Sequence, residues 1–206
     1  MSLPLRPPYA PMEARLVEEI PIGAGWPYEP KWDGFRCLAF RDGDAIQLQS
    51  KNGQPLGRYF PEIVEALRSL PRTFVLDGEI VIPVDGRLSF DDLLQRIHPA
   101  ASRVERLARE RPGVLIVFDL LVDPAGRSLV ARPLAERRRR LEAFAAKHLA
   151  GRGDIRLSPA AQDAATARQW LTMAGGTLDG IVAKRLDLSY QSGERTGMQK
   201  VKCRRT

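Results

Sequence analysis

The chain has 206 residues, 44% of them hydrophobic and 28% charged, with 32 Lys plus Arg against 25 Asp plus Glu for a net charge of +7. That is enough chain for one globular domain with a proper core, and no segment is biased enough to read as disordered. The longest apolar run, Gly113 to Phe118, is far too short to span a bilayer, the N-terminus lacks a signal-peptide apolar region, and Cys37, Cys203, His98 and His148 have no metal-ligand or disulfide spacing. The expectation is a soluble cytoplasmic protein with no membrane partner and no structural metal.

In chain order, Glu29-Pro30-Lys31-Trp32-Asp33-Gly34-Phe35-Arg36 comes first and places a lysine in the pattern K-x-D-G-x-R. With each specified residue at ordinary usage, the string should arise by chance in only about one chain of this length in several hundred. Cys37 to Phe40 and Ala45 to Gln49 flank Arg41-Asp42-Gly43-Asp44 and read as a hairpin, which Ser50-Lys51-Asn52-Gly53 closes as a polar turn. Pro61 starts a helix through Leu70, with Ile63, Val64, Leu67 and Leu70 as its stripe and Pro71 as its stop. Thr73 to Ile82 is a strand that carries Asp77-Gly78-Glu79, turned by Val84-Asp85-Gly86-Arg87. Helices are predicted over Ser89 to Arg96, Ser102 to Arg111, Leu134 to Leu149 and Ala164 to Ala174. Strands are predicted over Val114 to Leu120, Ile155 to Leu157, Gly180 to Lys184 and Met198 to Cys203.

Early hairpins favour antiparallel pairing, so the fold class is α+β, with antiparallel sheets and helices on their outer faces. Asp179 and Lys184 lie on opposite parities of one strand unless it bulges after Gly180. Lys200 and Lys202 project from one strand face and form, with Arg204 and Arg205, a basic C-terminal cluster. The run Arg137 to Arg140 reads as a solvated helix face beside Leu134, Leu141 and Phe144. An aromatic at a strand end such as Phe118 either stacks on a base or packs in the core.

A lysine near its reference pKa of ~10.4 is protonated at neutral pH and cannot attack phosphorus, so a nucleophilic lysine needs nearby cations and partial burial. Arg36, Lys184, Lys200 and Lys202 are the candidate cations.

These segments together resemble the motifs of the covalent nucleotidyltransferases. The run from Pro8 to Arg205 is similar to the adenylation domain of bacterial ATP-dependent DNA ligases of the small repair and end-joining type. The resemblance implies an ATP-grasp-like nucleotidyltransferase fold of two antiparallel sheets with the nucleotide between them. It makes residues 1–206 the adenylation domain and sets the oligonucleotide-binding domain of such ligases outside this chain. It implies that Lys31 becomes lysyl-AMP, Glu79 holds the ribose hydroxyl, Phe118 stacks on adenine, and Glu29 and Arg36 sit near the adenine edge and the ribose or phosphate. Lys184, Lys200 and Lys202 would face the phosphates, Glu79 and Asp179 a Mg²⁺ or Mn²⁺ ion, and Asp33, Lys51, Arg204 and Arg205 the DNA. The implied partners are ATP and nicked double-stranded DNA, the protein acting as a monomer at the bacterial nucleoid. An RNA ligase, a capping-type guanylyltransferase and a basic nucleic-acid-binding module without catalysis remain open from the residues alone.

Overall fold

Two nine-residue strands dominate the architecture, because both are buried over nearly their whole length and need cover on both sides. A computed structural model, which describes residues 3–172 and 178–203, places them at and beside the centre of a five-stranded sheet. The strands and helices run β1 (Arg15–Leu16), β2 (Tyr28–Trp32), β3 (Phe35–Asp42), β4 (Ala45–Ser50), α1 (Pro61–Leu67), β5 (Thr73–Val81), β6 (Pro83–Val84) and β7 (Arg87–Leu88). They continue with α2 (Phe90–Arg96), α3 (Ala101–Glu110), β8 (Val114–Val122), α4 (Leu134–His148), β9 (Ile155–Leu157), α5 (Ala164–Thr172), β10 (Leu178–Lys184) and β11 (Met198–Lys202). The larger sheet has the order β4-β3-β5-β8-β9, the smaller has β1-β11-β10-β2, and β6 and β7 form a hairpin of their own.

The α+β class and the two-sheet plan hold, with one refinement. Each sheet is antiparallel except at one edge, where β1 pairs parallel to β11 and β9 parallel to β8. The main core lies on the helical side of the larger sheet, where Leu76, Ile80, Leu115 and Val117 meet Ile63, Leu67, Leu141 and Phe144. On the outer face of the smaller sheet, Tyr28, Ile181 and Ala183 pack with Ala167 and Trp170 of α5. The predicted last residue of that helix, Ala174, lies outside the described residues.

Two local expectations are corrected. The β3–β4 hairpin turns at Gly43 within the expected Arg41 to Asp44 connection, where φ of +64° suits glycine, whereas Ser50 to Gly53 does not close it but forms the next turn, with Gly53 N–H donating to Ser50 C=O at 3.0 Å. Helix α1 stops at Leu67 rather than Leu70 because buried Arg41 collects its terminal carbonyls. The Arg41 guanidinium donates to Leu67, Arg68 and Leu70 C=O at 2.6, 2.8 and 2.7 Å.

Candidate active site

The K-x-D-G-x-R segment is the crossing between the two sheets. Lys31 is near the end of β2 in the smaller sheet, Arg36 is at the start of β3 in the larger one, and only Asp33 and Gly34 separate the strands. Gly34 lies so close to β5 that a Cβ there would run into the carbonyl oxygen of Ile80. A side chain at 34 would push the strands apart, so the glycine sets how near Lys31 comes to the other wall.

Strand alternation builds the first wall. Register pairs Glu29 with Val182 and Lys31 with Gly180 across β2–β10, and Val182 with Lys200 across β10–β11. Glu29, Lys31, Val182, Lys184 and Lys200 therefore share the inner face. The strand does bulge, but before Gly180 rather than after it, the register slipping between Leu178 and Gly180. It brings Asp179 into an ion pair with the Lys31 ammonium. Gly180 has φ +150°, and a Cβ there would strike the carbonyl of Val201. Lys184 is buried and ion-paired to Glu29, which Arg138 also holds at 3.2 Å while donating to Ser158 C=O at 2.8 Å.

The second wall comes from the larger sheet. Arg36 donates from two nitrogens to the two oxygens of buried Asp77, both at 2.7 Å, and to Met12 C=O at 2.7 Å. Tyr190 O–H donates to the same Asp77 at 2.7 Å and accepts from Met12 N–H at 2.9 Å. Burial disfavours the Arg36 charge, but Asp77 outweighs it and holds the guanidinium pKa above its ordinary value.

Phe118 is the extra residue of a bulge, since Asp77 pairs with Asp119 and Gly78 with Val117. The bulge needs Gly78, where a Cβ would meet the Ile116 carbonyl. It also makes Phe118 the one partly exposed residue of β8, which removes the reading of it as a core aromatic. Its ring carries the Lys184 ammonium at 4.4 Å and the Arg36 guanidinium at 4.9 Å.

Glu79 stands opposite Arg36 in the β3–β5 register. Burial pushes its carboxyl from 4.5 up to about 7, with Arg36 and Lys31 opposing the rise and Asp77 and Asp33 adding to it. A carboxyl raised on folding binds its proton more tightly in the folded state, so it adds stability at low pH that is lost as pH rises through that window. Melting temperatures measured from pH 5 to 8 should accordingly decline less in Glu79→Gln than in the wild type, and parallel curves would refute the shift.

These walls enclose an open cleft of about 220 Å³. Of the residues singled out in the sequence, Glu29, Lys31, Arg36, Lys51, Glu79, Phe118, Lys184 and Lys200 line it. Asp179 joins through Lys31. Asp33 is half-buried and Lys202 exposed, and neither lines the cleft, while Arg204 and Arg205 lie outside the described residues. Burial first, then the charges of Lys31, Lys51 and Lys202, lowers the pKa of Lys200.

Sequence reasoning missed Glu13, Arg195, Arg138 and Tyr190, whose partners are far away along the chain. The solvated face expected for Arg137 to Arg140 is corrected. Arg137 is buried in a two-oxygen pair with Asp119 at 2.9 and 3.0 Å, Arg138 reaches Glu29, and Arg140 holds Glu136 and Asp123. Of the run only Arg139 is exposed. Carboxylates at the end of β8 capture this helix face.

The family model described as the ATP dependent DNA ligase domain matches residues 11–202. DNA ligase C2 of Mycolicibacterium smegmatis is 47% identical over 209 residues, covering 100% of this chain and 57% of the relative. DNA ligase C of Mycobacterium tuberculosis is 46% identical over 209 residues, with coverage of 100% and 57%. The solved ligase domain of M. tuberculosis LigD superposes with a TM-score of 0.73 at 26% identity, over 94% of this chain and 60% of that one. A mycobacterial DNA ligase D complexed with ATP and MES gives a TM-score of 0.71 at 26% identity, with coverage of 94% and 60%. The chain thus spans little more than half the length of the curated relatives it matches.

Proposed function

The chain belongs to the ATP-dependent DNA ligase domain family, and on that premise we propose that it carries out the adenylation step of DNA joining. The carrying observation is that Lys31, the lysine of the K-x-D-G-x-R pattern, opens into a cleft walled by Arg36, Lys184, Lys200 and a partly exposed Phe118. Adenine stacks on Phe118, the ribose hydroxyl meets Glu79, and the α-phosphate lies among Arg36, Lys184 and Lys200. The Lys31 amine attacks phosphorus, a phosphorus–nitrogen bond forms, the bond to the pyrophosphate oxygen breaks, and pyrophosphate leaves with its electron pair. The proton that the ammonium must first lose has a ready acceptor in Asp179, already in contact with it. Such transfer is governed by positioning and charge neutralisation, which this set of cations supplies.

A divalent ion fits the donor set only as a guest of the nucleotide. Glu79 and Asp179 come from opposite walls, and among the described residues no group of three or more His, Cys, Asp or Glu could hold a metal. Mg²⁺ takes one or two carboxylates when phosphate oxygens and water complete its octahedron. When bound it neutralises charge on the phosphates.

The acceptor is the 5′-phosphate of nicked duplex DNA in the bacterial cytoplasm, met by Lys51, the Lys200 to Arg205 segment and Asp33. Among the described residues no helix is long and apolar enough to cross a membrane. The protein acts as a monomer. Incubation with α-labelled ATP or GTP, then with nicked DNA or nicked RNA, tests this reading. Label should enter the protein from ATP and pass to DNA, and preferential GTP labelling or transfer to RNA would refute it.

Gripping a duplex specifically usually buries ~1,000 Å² or more of protein surface, so residues 1–206 by themselves should hold AMP yet seal nicks poorly. The further length seen in the relatives, supplied in cis or in trans, should raise sealing by orders of magnitude. Efficient multiple-turnover sealing by residues 1–206 at physiological salt would overturn that expectation.

A further inference from the structure

Glu29 has both of its oxygens taken by cations from different elements. One accepts from the Arg138 guanidinium at 3.2 Å, and the other is ion-paired with the Lys184 ammonium. The side chains of Glu29, Arg138 and Lys184 are 7%, 14% and 7% exposed, so water screens these pairs little. Arg138 belongs to α4, which packs on the larger sheet, and it reaches across to β2 of the smaller one. Its other nitrogens are fixed on the way, donating to Ser158 C=O at 2.8 Å and to the Glu142 carboxylate at 2.9 Å. Ser158 is fully buried, its N–H donating to Val117 C=O at 2.8 Å and its hydroxyl accepting from the Trp32 indole N–H at 3.0 Å. Arg138 is thus anchored to the same wall that carries Phe118 and Trp32.

Lys184 has no such anchor. Its ammonium is divided between Glu29 and the Phe118 ring, 4.4 Å from the centroid, which holds it on the side of the cleft assigned to the base. Neutralising the α-phosphate requires it to leave Glu29. A buried carboxylate gives up a counter-ion only if another donor takes the vacated oxygen and a second cation stays. The 6-amino group of adenine is such a donor, whereas guanine places a carbonyl oxygen at that position.

We propose that Arg138 is a positioning residue that fixes Glu29 for an exchange, in which the adenine amino group takes the Glu29 oxygen now paired with Lys184 and releases Lys184 to the phosphate. This rests on the adenylation reading and extends it to base selection. With guanine two acceptors meet, so Glu29 keeps Lys184 and the phosphate goes without that cation. When Arg138 is removed, Lys184 is the cation left to Glu29, and the amino group no longer frees it.

The test measures equilibrium binding of AMP, adenosine, purine riboside 5′-monophosphate and purine riboside to the whole chain, after pyrophosphate and Mg²⁺ have removed any attached AMP. Purine riboside lacks only the 6-amino group. The wild type should prefer AMP to purine riboside monophosphate by about 10-fold or more, the scale of a hydrogen bond to a charged group. Its gain from adding the phosphate should be about 3- to 10-fold larger for adenosine than for purine riboside, because the amino group frees Lys184. Arg138→Met should bring both ratios to within about 2-fold of unity. A purely structural role would weaken all four ligands alike and leave both ratios unchanged, which would overturn the proposal. Arg138→Lys keeps the charge without the fork, so its ratios should fall between, and unchanged ratios there would overturn the proposal even if Arg138→Met fails to fold. Equal wild-type affinity for AMP and purine riboside monophosphate would also overturn it, whether or not Lys31 takes label from ATP. Both ratios as expected without that labelling would uphold the exchange and remove the adenylation step alone.

Discussion

Lys31→Ala should leave the protein folded and unable to retain AMP. Lys31 and Asp179 are 22% and 16% exposed at their side chains, so the orphaned carboxylate keeps access to water and the loss of stability is small. The loss of chemistry is total, because no other lysine on this wall shares its placement. Lys184 is buried against Glu29, and Lys200 sits on β11, across β10 from β2. Intact mass after incubation with ATP and Mg²⁺ or Mn²⁺ should show one added AMP on the wild type and none on the variant. Lys31→Arg should fail equally, since a guanidinium stays protonated and is no nucleophile. AMP still attached to Lys31→Ala would place the nucleophile elsewhere and remove the central assignment.

Much of this site was legible in the chain because it rests on strand parity. Glu29 with Lys31, and Lys200 with Lys202, share faces by alternation alone, and the K-x-D-G-x-R pattern marks the proposed nucleophile before any contact is known. What alternation could not convey is where it breaks. The bulge at Phe118 turns its ring into the cleft and the bulge at Asp179 brings its carboxylate to Lys31, and both depend on a neighbouring glycine lying against a carbonyl of the next strand. Asp-Gly-Glu and Asp-Gly-Ile carried that signal without stating its cause. The two parallel edge pairs were illegible for a different reason: β1 is two residues long and β9 three, too short for any period to emerge.

Arg137 to Arg140 shows the opposite failure. The run looks like a solvated face until Asp119 and Asp123, at the end of β8, are brought beneath it. Glu13 likewise meets Arg195 from 182 positions away. Long-range ion pairs have no local pattern, so only the fold reveals them.

Asp77→Ala should be among the most destabilising single changes available, because it strips a largely buried positive charge of its fully buried counter-ion. Asp77 is 0% exposed, and it takes both hydrogen bonds of the Arg36 fork and that of Tyr190. Without it the Met12 carbonyl is the hydrogen-bond acceptor left to Arg36, and the Tyr190 hydroxyl loses its acceptor. Removing one partner of a buried pair costs about 3–5 kcal/mol. In a domain of this size that corresponds to a fall in melting temperature of roughly 6–20 °C. Arg36 would also lose its fixed position beside Phe118, so nucleotide affinity should weaken along with stability. Arg36→Met removes the stranded charge. The double variant Asp77→Ala/Arg36→Met should therefore be less destabilised than the sum of the two single changes, by about 1–3 kcal/mol of coupling. Denaturant unfolding of all four proteins checks the cycle. Strict additivity, or a loss below about 1 kcal/mol for Asp77→Ala, would mean that Arg36 is held by something other than Asp77.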